Sequence, residues 1–268
     1  MLTQAFERAK LERRVAFIPY VMAGDPDLGT TEAILDALTA AGADIIELGI
    51  PYSDPLADGP TIASAGARAL ANGTRLSDVL ALVRRCSASS PPIVLFSYFN
   101  PIYQCGIDRF AREAAQAGAA GAIVPDCALE ESQALRDALR ERGIEMPLLV
   151  APSTSRERAR RIAEAATGFV YIVSRLGVTG AAQTPSLEPL KAHLTMMREI
   201  TVKPLAVGFG LSRPDEIRQI ASLTDGVVVG SALIDAYAST NGPEAAERVA
   251  KFITPLIAAT SPNYFRPS

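Results

Sequence analysis

Short apolar segments alternate with longer segments of helical periodicity along almost the whole chain. The helical segments place an apolar residue at every third or fourth position, as in the stripe Leu187, Leu190, Leu194, Met197 and Ile200. The segments between them are continuous apolar runs, which are typical of parallel strands covered on both faces. The pattern therefore predicts alternating strands and helices that form a parallel sheet.

Eight apolar runs fit this pattern: Val15–Tyr20, Asp44–Leu48, Ile93–Tyr98, Gly121–Val124, Pro147–Ala151, Phe169–Val173, Lys203–Val207 and Val227–Val229. A short amphipathic helix, Leu2–Leu11, precedes them, and Thr30 or Thr31 is expected to cap the helix after the first strand. Eight strand–helix units without a linker predict one domain over residues 1–268, an α/β fold of the TIM (β/α)8 barrel type with an extra N-terminal helix. An open doubly wound sheet is the structural alternative, but the first strand is not followed by its usual Gly-x-Gly-x-x-Gly turn.

Composition narrows the class of protein. Of the 268 residues 49% are hydrophobic and only 6% aromatic, so the core is aliphatic. A net charge of −3 gives no reason to expect nucleic-acid binding. No apolar run approaches the roughly 20 residues of a membrane helix, and the N-terminus does not resemble a signal peptide. Three scattered cysteines, Cys86, Cys105 and Cys127, fit free thiols, so we expect a soluble protein of the reducing cytoplasm.

An acid lies inside the second predicted strand, where burial is costly unless the group is paired or used. In a barrel the site lies at the C-terminal ends of the strands, and there Glu47 is joined by Asp54, Asp58 and Tyr171. If Glu47 points into the barrel, aliphatic surroundings raise its pKa and let it act as acid and base near neutrality. The alternative is a structural glutamate hydrogen-bonded to a polar group of a neighbouring strand.

Glycines collect after the last three strands and suggest a phosphate site. Gly180, Gly208, Gly210 and Gly230 let backbone amides approach an anion, and Ser231 would begin a helix whose positive end faces it. Because the chain has no Walker motif, a small phosphate ester fits better than a nucleotide. Ordinary turn glycines are the alternative explanation.

Several other chemistries lack their residues. The only histidine, His193, falls within a helix, which argues against histidine metal sites and Ser/His triads. None of the four lysines falls at the C-terminal end of a strand, so a Schiff-base mechanism has no amine. A metal site made only of Glu47, Asp54 and Asp58 stays open. The interpretation that remains is acid–base catalysis by carboxylates and a tyrosine on a phosphorylated substrate, without a bound cofactor.

Three segments resemble the tryptophan synthase alpha chain family: ELGIPYSDPLADGP (Glu47–Pro60), SRLGVTG (Ser174–Gly180) and VGFG (Val207–Gly210). They occur in the family's order, and the similarity runs from about Phe6 to the last helix. The resemblance implies cleavage of indole-3-glycerol phosphate to indole and glyceraldehyde 3-phosphate, with no cofactor in this chain. It also implies a partner in an α2β2 tetramer, the beta chain, which carries pyridoxal phosphate and receives indole through an internal tunnel.

The resemblance also implies a role for each matched residue. Glu47 is the expected acid/base at the indole ring carbon and the side-chain hydroxyl. Asp58 is expected to hold the indole N–H and stabilise the positive charge on that nitrogen, with Tyr171 near the reacting carbons. The substrate-binding positions that match are Tyr20, Gly180, Gly210, Gly230 and Ser231. Two lid positions that help close the site and signal to the partner match Asp54 and Thr179.

Two other functions share much of this pattern. A stand-alone lyase that releases free indole would use the same catalytic residues. A barrel retained only to activate its partner is a third possibility, but it would not need Glu47, Asp58 and Tyr171 together. The sequence does not separate the first two, because lid movement and the partner surface distinguish them.

Overall fold

The computed structural model describes residues 1–173, 187–208 and 210–261. Eight parallel strands form one sheet in the order β4-β3-β2-β1-β8-β7-β6-β5. The strands are β1 Ala16–Met22, β2 Ile46–Gly49, β3 Ile93–Phe96, β4 Gly121–Ile123, β5 Leu148–Val150, β6 Val170–Val173, β7 Leu205–Gly208 and β8 Gly226–Val229. The described helices are α1 Leu2–Leu11, α2 Leu28–Ala41, α3 Pro60–Ala71, α4 Leu76–Cys86, α5 Phe99–Cys105, α6 Ile107–Ala117, α7 Gln133–Arg140, α8 Arg156–Ala165, α9 Glu188–Ile200, α10 Pro214–Ile220, α11 Ser231–Tyr237 and α12 Gly242–Ala258.

The eight predicted strands and the N-terminal helix are confirmed, with small differences at their ends. The third strand stops at Phe96, two residues before the predicted end, because the chain enters α5 at Phe99. The predicted cap of α2 is wrong. The side chain of Asp27, rather than of Thr30 or Thr31, accepts the N–H of Thr30 (2.7 Å), so the helix begins earlier than expected.

The sheet curls into a nearly closed barrel. The first and last strands of the chain lie side by side: β1 pairs in parallel with β8, and the paired residues run from Ala16 with Gly226 to Pro19 with Val229. Between β4 and β5 the ring is joined by a single parallel bridge, Gly121 to Glu145. Around it, the N–H of Ala122 donates to the carbonyl of Glu145 at 2.9 Å. The barrel is therefore continuous, with its weakest lateral contact at this seam.

Helix α1 covers the N-terminal end of the barrel. Leu2 and Phe6 are buried there, and a Cβ on Gly121 would lie 2.9 Å from a methyl group of Leu2. The Glu145 carboxylate fixes the start of the helix by accepting the backbone N–H of Leu2 at 2.7 Å. With this end closed, the lumen is left to open toward the C-terminal ends of the strands.

The surface follows the expectations from composition. The basic run at the start of α8 is solvent-exposed and ion-paired, with Arg158 and Arg161 on Glu130 and with Arg156 on Glu199. All three cysteines are free thiols. Within the described ranges, no helix combines the length and the apolar character that crossing a membrane requires.

Candidate active site

Glu47 is buried in the wall of the barrel, with a side chain that is only 1% exposed. Its position on β2 is level with Tyr20 on β1 and Val94 on β3. Neither carboxyl oxygen has a hydrogen-bond partner among the described residues. The structural alternative for Glu47 required such a partner on a neighbouring strand, so the structure does not support it. Burial raises the pKa of Glu47 from 4.5 to about 8.

Two buried tyrosines lie close to this carboxyl. Burial raises the pKa of Tyr20 well above its usual value, and the charges of Asp58 and Glu47 raise it further. The pKa of Tyr171 on β6 is raised in the same way, first by burial and then by the charge of Glu47. Tyr20 also meets the ring of Phe96 edge-on at 5.6 Å between centroids. The structure therefore brings two of the predicted site residues, Tyr20 and Tyr171, within electrostatic reach of a third, Glu47.

Each tyrosine hydroxyl lies over a glycine of the next strand. A Cβ on Gly49 would come within 2.2 Å of the Tyr20 hydroxyl, and a Cβ on Gly208 within 2.1 Å of the Tyr171 hydroxyl. From the sequence, Gly208 was a candidate for the phosphate site. The structure gives it a different reason, because any side chain there would displace Tyr171.

Asp58 reaches this region from the loop between β2 and α3. It is partly buried, and burial raises its pKa from 3.8 to about 6, while the Tyr98 hydroxyl acts in the opposite direction. At pH 7 Asp58 is therefore mostly ionised while Glu47 is mostly protonated. The site holds two carboxyl groups in different protonation states, an arrangement that suits one proton donor and one fixed negative charge.

The remaining predicted residues that the structure describes lie around the same end of the barrel. Asp54 is exposed in the loop that carries Asp58. Gly210 follows β7 and has a positive φ of 98°. Gly230 immediately precedes α11, which Ser231 begins, and a Cβ on Gly230 would be 3.4 Å from the Cβ of Tyr20. Thr179 and Gly180 lie outside the described residues.

Tyr98 is a site residue that was not predicted from the sequence. Its hydroxyl accepts the backbone N–H of Ala57 at 2.9 Å and interacts with the Asp58 carboxyl. The only signal in the sequence is its place just after the third strand, which many core tyrosines share.

The other chemistries considered from the sequence find little support in the described part of the chain. No three of its His, Cys, Asp and Glu residues are grouped so that they could hold a metal ion. Lys203 is at the far end of the barrel, where its Nζ donates to the carbonyls of Ala163 and Ala166 at 2.7 and 2.6 Å. It is thus a structural residue at the N-terminal end of β7.

Comparison with known proteins decides the family. The family model described as tryptophan synthase alpha chain matches residues 6–260. The chain belongs to the tryptophan synthase alpha chain family. The alpha chain of Picosynechococcus is 47% identical over 257 residues, with 95% of this chain and 97% of that protein covered. The alpha chain of Arabidopsis thaliana is 43% identical, with 94% and 92% covered.

Solved structures of the tryptophan synthase family have the same fold. The structure of tryptophan synthase from Mycobacterium tuberculosis superposes with a TM-score of 0.89 at 38% identity, and the match covers 97% of each chain. The alpha subunit from Legionella pneumophila superposes with a TM-score of 0.86 at 34% identity and 97% coverage of each chain. Family membership makes this chain a lyase that acts as the alpha subunit of tryptophan synthase in tryptophan biosynthesis, with a beta chain as partner.

Proposed function

We propose that this chain cleaves a carbon–carbon bond of indole-3-glycerol phosphate by a retro-aldol reaction, giving indole and glyceraldehyde 3-phosphate. The observation that carries the proposal is the pair of carboxyl groups. Glu47 is buried and without a hydrogen-bond partner in the described chain, with a pKa of about 8, while Asp58 has a pKa of about 6. A retro-aldol cleavage at an indole ring needs one group that donates a proton and one that stays negative.

Glu47 supplies the proton. In its protonated form it donates to the ring carbon that bears the glycerol phosphate chain, which leaves a positive charge on the indole nitrogen. The resulting Glu47 carboxylate accepts the proton of the adjacent side-chain hydroxyl as the carbon–carbon bond breaks and the aldehyde forms. The proton that Glu47 gave is thereby replaced, and the residue ends the cycle as it began.

Asp58 stabilises the charge that this step creates. Its carboxylate accepts a hydrogen bond from the indole N–H and lies opposite the developing positive charge, in a partly buried place where such an interaction is strong. Tyr171 contacts the reacting carbons, a role supported by its proximity to Glu47, whose charge raises the pKa of Tyr171 beyond the effect of burial. Tyr20 contacts the substrate ring from β1.

The phosphate of the substrate binds after the last strands. Gly210 and Gly230 offer backbone amides there, and Ser231 begins α11 with its N–H groups and hydroxyl. Gly180 completes this site, and Asp54 and Thr179 belong to lids that close over it and respond to the partner. In a cytoplasmic α2β2 tetramer the beta chain, with its pyridoxal phosphate, takes up the indole. This chain itself needs no cofactor.

Two measurements test this function. Release of indole from indole-3-glycerol phosphate is followed with the purified chain alone and with its beta chain. Strong activation by the beta chain supports the subunit, full activity alone supports a stand-alone lyase, and no release in either case refutes the proposed reaction.

The role of Glu47 is tested by Glu47→Gln. The variant is expected to lose turnover while a non-cleavable indole phosphate analogue still binds with an affinity close to that of the wild type. If the variant loses analogue binding together with turnover, Glu47 serves the structure of the site rather than proton transfer.

A further inference from the structure

Tyr98 connects the end of β3 to the loop that carries Asp58. Its side chain is 3% exposed, and its hydroxyl oxygen accepts the backbone N–H of Ala57 at 2.9 Å. Ala57 is the residue immediately before Asp58, so this hydrogen bond fixes the backbone on which the carboxylate stands. The contact joins positions that are 41 residues apart in the chain.

The hydroxyl has one proton, and that proton remains available. Because the amide of Ala57 uses a lone pair of the oxygen, the Tyr98 O–H is left to act as a donor. Asp58 follows Ala57 directly, and its charge raises the pKa of Tyr98 beyond the effect of burial, so its carboxylate is the acceptor within electrostatic reach. We propose that Tyr98 is a positioning residue for Asp58, holding the loop through Ala57 and presenting its proton to the Asp58 carboxylate. This inference rests on the role of Asp58 in the proposed function.

Tyr98 is itself held by its surroundings. Its ring stacks on that of Tyr52 with 5.3 Å between centroids, and the Tyr52 hydroxyl accepts a hydrogen bond from Asn100 at 3.1 Å. The Oγ of Ser97 donates to the carbonyl of Tyr98 at 3.0 Å. Since the ring and the backbone are both fixed, the hydroxyl has a defined position from which to hold a loop.

The chemistry of the site needs this contact. Asp58 stands on a loop, which by itself positions a side chain less well than a strand. It must also stay ionised although burial raises its pKa, and the interaction with Tyr98 lowers the pKa again. Among the described residues, the Asp58 charge also acts on Tyr20 of β1, whose pKa burial raises well above its usual value, so Tyr20 remains neutral across the working range. Tyr98 therefore stabilises both the position of the Asp58 carboxyl, through the backbone of Ala57, and its ionised form.

Tyr98→Phe is the test, because it removes the hydroxyl and keeps the ring on Tyr52. The matched control is Tyr52→Phe, which removes a hydroxyl from the same stacked pair without touching Asp58. With the alpha–beta complex, we expect Tyr98→Phe to lower kcat about tenfold with little change in KM. The acid limb of its pH profile should move to higher pH, while Tyr52→Phe leaves that limb in place.

A double-mutant cycle separates positioning from general structural support. In an Asp58→Asn background the carboxylate is gone, so adding Tyr98→Phe should lower kcat by less than twofold more. Equal losses in both backgrounds, or an acid limb of Tyr98→Phe that superimposes on the wild type, would overturn the inference. Failure of the proposed function looks different, because the wild-type complex itself would then release no indole.

Discussion

The hydroxyl of Tyr171 on β6 lies over Gly208 on β7, where a Cβ would approach it to 2.1 Å. Tyr20 and Gly49 repeat this relationship on β1 and β2 at 2.2 Å. Neither glycine has a positive φ, so the requirement for glycine comes from packing rather than from backbone conformation. Both tyrosine hydroxyls near Glu47 thus depend on the absence of a side chain on the adjacent strand.

The first prediction concerns this dependence. Gly208→Ala should displace Tyr171 or strand β7, since the nearest ring atoms are within 2.5 Å of the added carbon. We expect a destabilisation of about 1–3 kcal/mol and a loss of lyase activity well beyond what that destabilisation explains. Thermal unfolding and indole release measure the two effects.

Gly66→Ala is the matched control for this substitution. Gly66 lies within α3, and a Cβ there would contact only the side chain of Met22 on β1, at an ordinary distance of 3.5 Å. Stability should rise or stay within about 1 kcal/mol, and activity should be retained. Equal effects of the two substitutions would contradict the packing argument.

The second prediction is a bell-shaped pH profile of kcat/KM for indole-3-glycerol phosphate. Activity should rise through a pKa of about 6 as Asp58 ionises and fall through about 8 as Glu47 loses the proton it must donate. The substrate's phosphate also titrates near pH 6, so the acid limb is assigned by comparing variants, in which the substrate contribution is the same. An activity that keeps rising beyond pH 9 would refute the donor role of Glu47.

The third prediction concerns the cost of burying Glu47. The fold favours its protonated form, so its contribution to stability is fully present below pH 4.5 and is lost as the pH rises through about 8. Glu47→Gln should therefore gain stability relative to the wild type by about 1.4 kcal/mol per pH unit between roughly pH 5 and 8. Urea unfolding across this range measures the slope, and a difference that does not change with pH would show that Glu47 is not buried as described.

The fourth prediction concerns the helix that follows the Asp58 loop. Asp25 is 1% exposed and accepts two hydrogen bonds from Arg68 of α3, at 2.7 and 2.9 Å. Arg68→Ala leaves this buried carboxylate unpaired and should cost about 3 kcal/mol. Arg85→Ala breaks an exposed pair with Glu32 and should cost less than about 1 kcal/mol. The comparison is made by measuring the free energy of unfolding of each variant against that of the wild type. Adding Asp25→Asn to Arg68→Ala should recover part of the lost stability.

Much of the fold follows from local patterns in the chain. Parallel strands that are buried on both faces have continuous apolar sequences. The eight apolar runs could therefore be identified without knowing which strands pair. The acid inside the second run was visible for the same reason, since Glu47 stands out against Ile45, Ile46 and Leu48. The absence of a hydrogen-bond partner for Glu47 among the described residues could not be predicted, because it depends on which side chains the neighbouring strands bring to it.

The features missed depend on contacts between distant residues. Tyr98 acts on a loop 41 positions earlier, and no local pattern records that contact. Gly208 looks like any turn glycine until Tyr171 is placed beside it. At the start of α2, three hydroxyl or carboxyl side chains within a few residues could each cap the helix, and the backbone conformation at Asp27 selects one of them.

The ring of strands divides the site between two halves of the chain. Glu47, Asp58 and Tyr98 come from the part that forms β1–β4, and Tyr171 and Gly230 from the part that forms β5–β8. Glu47 owes its raised pKa to burial alone, and that burial exists only when both halves have closed around it. A nascent or partly unfolded chain therefore holds an ordinary surface carboxylate at this position. The acid with the raised pKa therefore exists only where the two halves of the barrel are joined, and a chain with either half unfolded is expected to release no indole.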